Sequence, residues 1–265
     1  MMGAVIVFAF VVMAALGPQI APFDPNEFHM DARFEPPNRT YILGTDNFGR
    51  DVASRTIVGA RSILLLAGVA SVLGVLLGLI IGVASGYYGG WLDEIVMRIQ
   101  DGLMSIPSML MALLIISVLG AGDINLIIGI ALIYAPSVAR VIRSAVLEEK
   151  AKEYVAAAQI RGESTLYILV REIMPNILSP MTVELTIRFG YAILLSASLG
   201  FLGLGVQPPT PDWGLDVNRG RPFLVTSPWI ILSPALAMSI MVVGVSMLGD
   251  GIQQELGVSR GQRVI

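Results

Sequence analysis

The chain has 265 residues, of which 55% are hydrophobic and only 14% are charged, and its mean hydropathy is +0.75. Soluble domains carry about 25% charged residues, so this composition indicates a polytopic membrane protein. The net charge of −3 gives no sign of nucleic-acid binding, and a chain with no cysteine and a single histidine, His29, has neither a thiol site nor a histidine-rich metal centre.

Six segments are apolar enough to cross a bilayer, which takes about 20 residues of helix. In chain order they are residues 1–21, 62–86, 98–120, 122–143, 181–205 and 229–250. The first has no basic start and no clear cleavage site, so it is predicted to be an uncleaved anchor and not a signal peptide. The sequence therefore predicts an all-α membrane protein with six transmembrane helices.

The basic residues favour one orientation weakly. If the N-terminus is cytosolic, residues 22–61 and 206–228 lie outside, and residues 87–98, 140–180 and the C-terminal tail lie inside. Basic residues are then slightly more numerous inside, and they include both lysines and two tail arginines, Arg260 and Arg263. This agrees with the positive-inside rule and predicts that both termini are cytosolic.

Residues 22–61 are predicted to form an extracytoplasmic segment that ends in an interfacial helix. From Gly49 onward its apolar residues alternate with charged ones, which is typical of a helix lying at the membrane surface. The predicted division of the chain is therefore a first transmembrane helix over 1–21, this segment, and a five-helix core over 62–265.

Glycines recur every four residues in the second span, which places them on one helix face. They are Gly74, Gly78, Gly82 and Gly86. Such a stripe allows two helix backbones to approach closely, either within this chain or between this chain and a second, similar subunit. Further along, Pro107 and Pro136 lie inside spans three and four, where a proline can kink a helix.

Residues 153–176 read EYVAAAQIRGESTLYILVREIMPN, a charged stretch between apolar spans. Good helix formers precede Gly162, which supplies a stop. A second helix is predicted from about Thr165 to Met174, with Ser164 as its N-cap, before Pro175 interrupts the path into span five. The pattern predicts a helix-glycine-helix elbow.

One face of the first elbow helix is suited to contact with another protein. Glu153, Ala156, Ala157 and Ile160 follow a helical spacing and share a face. The two alanines would let another surface come close, and the glutamate favours the helix start. From these residues alone, a contact for another protein and a linker packed on its own bundle remain equally good interpretations.

An ion pair is predicted in span five, where Glu184 and Arg188 stand four residues apart. It is either a self-neutralising pair near the cytosolic interface or a gate or substrate contact. Farther on, residues 207–222 are rich in proline and glycine and carry Trp213. They are predicted to form an ordered loop at the outer mouth of a pathway, or an interfacial anchor.

The elbow stretch resembles the EAA motif of ABC-importer permeases. The matching positions are Glu153, Ala156, Ala157, Gly162, Ile173 and Pro175, while Met174 is a mild departure. Three further stretches resemble the C-type permeases of dipeptide, oligopeptide and nickel importers: LGTDNFGRDVASRTIVGAR at 43–61, MRIQDGLMSIPSMLMALLI at 97–115, and LGFLGLGVQPPTPDWG at 199–214. Together with APFDPN at 21–26, they cover nearly the whole chain in order.

The resemblance implies a type I ABC importer permease with six spans in a bacterial inner membrane. It implies that the chain forms half of a path for peptides with a second, related permease, and that an extracytoplasmic binding protein delivers the cargo. It also implies that the elbow at 150–178 seats in a groove of one of two cytosolic ATPases. The coupling residues it implies, which transmit force and perform no chemistry, are Glu153, Ala156, Ala157, Ile160, Gly162 and Pro175.

The chain has no G-x-x-x-x-G-K-[ST] loop, so it is expected to bind no cofactor, with ATP and magnesium held by the partner subunits. It has no HExxH motif and no histidine within a span, which argues against an intramembrane hydrolase. Nickel chelates, glutathione or another small solute remain alternative cargoes, and an ion-coupled carrier or channel remains a distant alternative.

Overall fold

In a computed structural model that describes residues 1–255, the chain is built from helices, with an isolated bridge between Thr45 and Asp51. The helices are α1 (Met2–Ile20), α2 (Val52–Tyr88), α3 (Gly90–Met104), α4 (Ser108–Leu119), α5 (Asp123–Lys150), α6 (Glu153–Ile160), α7 (Thr165–Tyr167), α8 (Met174–Phe201), α9 (Trp213–Gly220) and α10 (Trp229–Glu255). A π-helical segment, Ile168–Ile173, joins α7 to α8. Five helices are long and apolar enough to span a membrane, and a bent pair makes a sixth span if it is counted as one. The predicted all-α membrane fold is confirmed; the tail arginines Arg260 and Arg263 lie outside the described residues.

The predicted interfacial helix before span two is wrong, because residues 52–88 form one helix of 37 residues. The side chain of Asp51 caps its start by accepting a hydrogen bond from the amide of Ser54 at 2.7 Å. At about 1.5 Å per residue α2 is about 55 Å long, which exceeds a hydrocarbon core of about 30 Å. Its charged first turns therefore extend beyond the apolar layer, where Arg55 is buried by protein and not laid on a surface.

The third predicted span is sharply bent, as the proline inside it allows. α3 and α4 meet at an angle of 93°, and neither half is long enough to cross a bilayer alone. The bend falls at Pro107, which has no amide hydrogen to donate and disfavours a helical conformation in the residue before it. By contrast, α5 continues through Pro136 as a single helix.

The glycine stripe packs against α5 within the chain, which is the first of the two interpretations left open by the sequence. A β-carbon at Gly78 would lie 2.6 Å from Cβ of Val138, and one at Gly82 would lie 2.6 Å from the carbonyl oxygen of Ala139. Gly74 and Gly86 face α5 in the same way, at 3.2 and 3.0 Å from its backbone oxygens. No larger residue fits at this crossing without moving one of the two helices.

A small cap, formed by α9 (Trp213–Gly220), covers the end of the bundle at which α2 begins. Trp213 was predicted to lie in an ordered loop or at an interface, but it begins α9 and is fully buried. Its indole nitrogen donates to the carbonyl oxygen of Thr56 at 2.8 Å, and its ring meets Phe10 edge-on. Nearby, Arg55 bonds Asp216 of α9 at 2.7 Å, so α2 and the cap are joined by a buried ion pair.

The start of α1 and the last turns of α10 lie at the other end of the bundle, with the elbow. At the start of α1, Gly3 packs against Leu248 near the end of α10. α10 itself begins in the cap, where the indole of Trp229 donates to the segment before α2. At the far end of α2, Lys150 donates to the carbonyl oxygen of Tyr87 and brings the elbow alongside.

Candidate functional site

The first elbow helix, α6, buries one face and exposes the other. Val155 and Ala158 are fully buried, which anchors the helix to the bundle. The residues predicted to share a face are all exposed: Glu153, Ala156, Ala157 and Ile160. Ile160 is 87% exposed and stands next to the two exposed alanines.

Gly162 turns the chain after α6. Its φ of +76° lies in the left-handed region, and its amide donates to the carbonyl oxygen of Gln159 at 3.0 Å. No atom of residues 1–255 lies within 4 Å of the place where a β-carbon would stand, so glycine is required here by backbone conformation. As predicted, Ser164 then caps the next helix by accepting from the amide of Tyr167.

The predicted interruption at Pro175 is wrong, because the path stays helical from Thr165 to Phe201. The π-helical segment Ile168–Ile173 lies directly before α8, and Pro175 occupies its first turn. A wider turn and a helix start both tolerate a residue that lacks an amide hydrogen. The elbow is therefore joined to α8 without a flexible break.

A polar network that the sequence did not reveal holds α6 to its neighbours. Glu149 at the end of α5 accepts hydrogen bonds from Tyr154 and, at 2.5 Å, from Lys152. Asn176 of α8 donates to the Tyr154 hydroxyl at 3.1 Å. Burial and the charge of Glu149 raise the pKa of Tyr154 to about 12, so this hydroxyl keeps its proton near neutral pH. The sequence features that could have indicated this network are Tyr154 inside the elbow motif and Asn176 directly after Pro175.

The elbow also shares a hydrophobic cluster with the glycine-stripe crossing. Its buried members are Val75, Val138, Ile142, Val146, Val155, Ala158, Ile168, Ile173 and Ile177. Val138 belongs to this cluster and is also the side chain that meets Gly78. α6 is therefore packed as one unit with α2, α5 and the start of α8.

A cavity of about 770 Å³ lies between the bent pair α3–α4, α5 and α8. Its wall is mostly apolar, with methionine, leucine and isoleucine side chains. The polar lining residues are Ser108, Tyr134, Ser137, Arg188, Tyr191 and Ser198. Its size and its mixed wall suit a small solute that carries both apolar and polar groups.

The pair Glu184–Arg188 stands at this cavity. Arg188 donates from Nε to Oε2 of Glu184 at 2.9 Å, and its Nη2 lies 2.7 Å from the same oxygen in the ion pair. Its guanidinium lies 5.8 Å from the centre of the Tyr134 ring. At about 1.5 Å per residue, Arg188 is about 21 Å from the start of α8 and near its midpoint. Such a position is more consistent with a cavity contact than with a pair at a helix end.

Comparison with known proteins gives two family matches. Residues 74–257 match the family described as binding-protein-dependent transport system inner membrane component. Residues 1–37 match the N-terminal TM domain of oligopeptide transport permease C. The two matches together cover 221 of the 265 residues.

Curated relatives are similar over most of their own length. The dipeptide transport system permease protein DppC of Alkalihalophilus pseudofirmus is 37% identical over 96% of this chain and 84% of the relative. The glutathione transport system permease protein GsiD of Escherichia coli is 40% identical over 97% and 85%. Among solved structures, a chain of the inward-facing MetNI methionine ABC transporter superposes with a TM-score of 0.62 at 20% identity, over 76% of this chain and 96% of that one. This likeness shows a shared fold.

Proposed function

The chain belongs to the family of binding-protein-dependent transport system inner membrane components, and from this premise we propose that it forms half of the translocation path for di- or oligopeptides in a bacterial inner membrane. It is a multi-pass permease subunit of the ABC importer type, with the type I importer fold that its sequence predicts. Relatives named for dipeptide and di/tripeptide transport support peptides as the cargo.

The observation that carries this proposal is the exposed face of α6. Ile160, Ala156 and Ala157 form an apolar surface at the end of the bundle that also holds the start of α1 and the last turns of α10. An apolar surface outside the spans is stable when another protein covers it. The proposed occupant is a cytosolic ATPase, and in this proposal the elbow, the start of α1 and the last turns of α10 face the cytoplasm while the cap faces outside.

The packing behind α6 supports a mechanical role. Because Val155 shares a cluster with Val138, a push on the elbow moves α6 together with the closely packed pair α2–α5. Well-packed interiors transmit displacement with little compression. Closure of two ATPases on bound ATP and magnesium would in this way be passed to the cavity wall formed by α5. A second, related permease would complete the path, and a binding protein would deliver cargo to its outer mouth.

Reconstitution in proteoliposomes tests the proposal. Uptake of a radiolabelled dipeptide is measured with this chain alone, and then with its partner permease, its ATPases, the binding protein, ATP and magnesium. We expect uptake only from the complete set. Uptake by the isolated chain would contradict the proposal and favour a channel or an ion-coupled carrier.

Glutathione is a second candidate cargo, favoured by the 40% identity to the glutathione permease of E. coli. The same reconstituted complex, given a dipeptide, a tripeptide, glutathione and a nickel chelate in turn, separates the candidates. Peptide uptake that exceeds uptake of glutathione and of the chelate is the expected result. Transport of the chelate alone would overturn the peptide assignment while leaving the permease assignment intact.

A further inference from the structure

The cavity between α3–α4, α5 and α8 has a positively charged lining. Among its lining residues in the part of the chain that the structure describes, Arg188 is the charged side chain and there is no carboxylate. We propose that Arg188 is a specificity-determining residue that binds the carboxylate of the cargo as it passes through the cavity. This inference rests on the proposed function and deepens it, because it assigns the cargo an anionic group as well as apolar ones.

The hydrogen bonds of Arg188 leave donors available. A guanidinium has five N–H donors in a planar fork that suits carboxylates. Nε donates to one oxygen of Glu184 and Nη2 lies next to the same oxygen in the ion pair, while within residues 1–255 no hydrogen bond is made by Nη1. The Tyr134 ring beside the guanidinium restricts its orientation without using an N–H group. A second carboxylate can therefore bind without displacing the first.

Glu184 acts as a positioning residue in this arrangement. Its side chain is 8% exposed and does not line the cavity, so it stands behind Arg188 and faces away from the path. It keeps the guanidinium in one place and offsets part of its charge. A transport site must bind strongly enough to admit its cargo and weakly enough to release it, and a half-neutralised cation meets both conditions.

A purely structural ion pair makes a different prediction. It would hold α8 in shape, and its loss would reduce the transport of every cargo by the same factor. Carboxylate recognition instead predicts that the loss depends on the charge of the cargo terminus. A peptide and the same peptide with a C-terminal amide differ in that group alone, so they distinguish the two roles.

The test uses the complete reconstituted complex with one binding protein throughout. Uptake of a free-acid peptide and of its C-terminal amide is measured for the wild type, Arg188→Gln and Arg188→Lys. We expect Arg188→Gln to lower uptake of the free acid roughly tenfold, the size expected for a lost hydrogen bond between charged groups, with much less effect on the amide. Arg188→Lys should recover part of the preference, because it keeps the cation but not the planar fork.

The double variant Glu184→Gln/Arg188→Gln guards against misfolding, since it leaves no unpaired buried charge. It should show the same loss of preference as the single variant. Glu184→Gln alone removes the carboxylate that offsets the guanidinium charge, so it should lower the KM of the free acid and leave the KM of the amide unchanged. An equal fall for both peptides in the Arg188 variants would overturn the inference.

A second measurement does not depend on the binding protein. Because the chain has no cysteine, Ser137→Cys introduces a single thiol into the cavity wall. Free-acid peptide should slow maleimide labelling of this thiol in the assembled complex more than the amide does, and Arg188→Gln should abolish the difference. Equal protection by both peptides contradicts carboxylate binding, whereas a wild-type complex that imports no peptide contradicts the proposed function itself.

Discussion

At the residue scale, glycines determine how closely α2 and α5 can pack. At Gly78 the missing β-carbon would stand 2.6 Å from Val138 and 2.9 Å from a backbone oxygen of α5. A change of the Val138 rotamer could not relieve the second contact, because the oxygen belongs to the backbone of α5. The stripe is therefore a requirement of close packing and not of helix geometry.

We predict that Gly78→Ala lowers the free energy of unfolding by about 1–3 kcal/mol, the usual cost of overpacking a dense interior. Thermal unfolding of the purified chain in detergent measures it. The matched control is Gly68→Ala in the same helix, where the nearest atom to the new β-carbon is 3.8 Å away on a Phe189 ring. Equal stability of the two variants would contradict the tight crossing.

Gly162 is a glycine of a different kind, and it leads to a different prediction. Because its β-carbon position is open and its φ is +76°, Gly162→Ala should cost about 1–2 kcal/mol through backbone strain, and a bulkier residue should cost little more unless it is β-branched. Gly162→Asn should cost less, since asparagine tolerates the left-handed region.

Peptide uptake per ATP hydrolysed in the reconstituted complex is the measurement for Gly162. The alanine variant should lower this ratio and the asparagine variant should stay close to wild type. If alanine and asparagine behave alike, strain at this turn is not what shapes the elbow.

At the element scale, the elbow is held by a network and not by α6 alone. Eight residues of helix are too few to be stable on their own, so α6 depends on its buried face and on the bonds that Tyr154 makes to Glu149 and Asn176. The position of the exposed face is thus determined by groups on α5 and α8. A substitution in those groups of α5 or α8 should therefore shift the position of the exposed α6 face while leaving its own side chains unchanged.

Tyr154→Phe removes the hydroxyl and leaves the ring. It should weaken the attachment of α6 by about 1.5–3 kcal/mol, since the lost bond is to a charged carboxylate. Hydrogen exchange should rise at the amides of α6 and not in α2, and ATP hydrolysis should continue with less uptake. Tyr167→Phe is the control, because the hydroxyl of this exposed tyrosine makes no hydrogen bond in the described structure. Unchanged exchange in α6 would show that the hydrophobic cluster alone holds the elbow.

At the scale of the whole molecule, the elbow, the start of α1 and the last turns of α10 share one end of the bundle, and the cap occupies the other. This gives an orientation test that the chain allows directly, because it contains no cysteine of its own. Arg39→Cys would place a thiol in the segment next to the cap, and Gln159→Cys would place one on the elbow. Both parent side chains are exposed.

In intact spheroplasts, a membrane-impermeant maleimide should label the thiol of Arg39→Cys and leave that of Gln159→Cys unlabelled. After permeabilisation both should be labelled, which controls for accessibility. The reverse pattern would place the elbow outside, where no ATPase could reach it.

The sequence by itself determined the helical membrane fold, the number of candidate spans and the elbow. Apolar stretches, the stop at Gly162 and the cap at Ser164 are local signals, and local signals are read without knowing what lies opposite. The family motifs were recognised in the same way, from residues at fixed spacing.

Tertiary structure decided what each element touches. The predicted surface helix is part of the first turns of α2, where Arg55 pairs with a residue 161 positions away. Trp213 is buried between the cap and the bundle, and Arg188 lines a cavity. Tertiary structure also decided that the glycine stripe meets α5 and that the bend at Pro107 breaks a span. The physical reason is that the free energy of a charge, an indole or a glycine depends on the partner brought to it in space, and sequence spacing along one helix does not specify that partner.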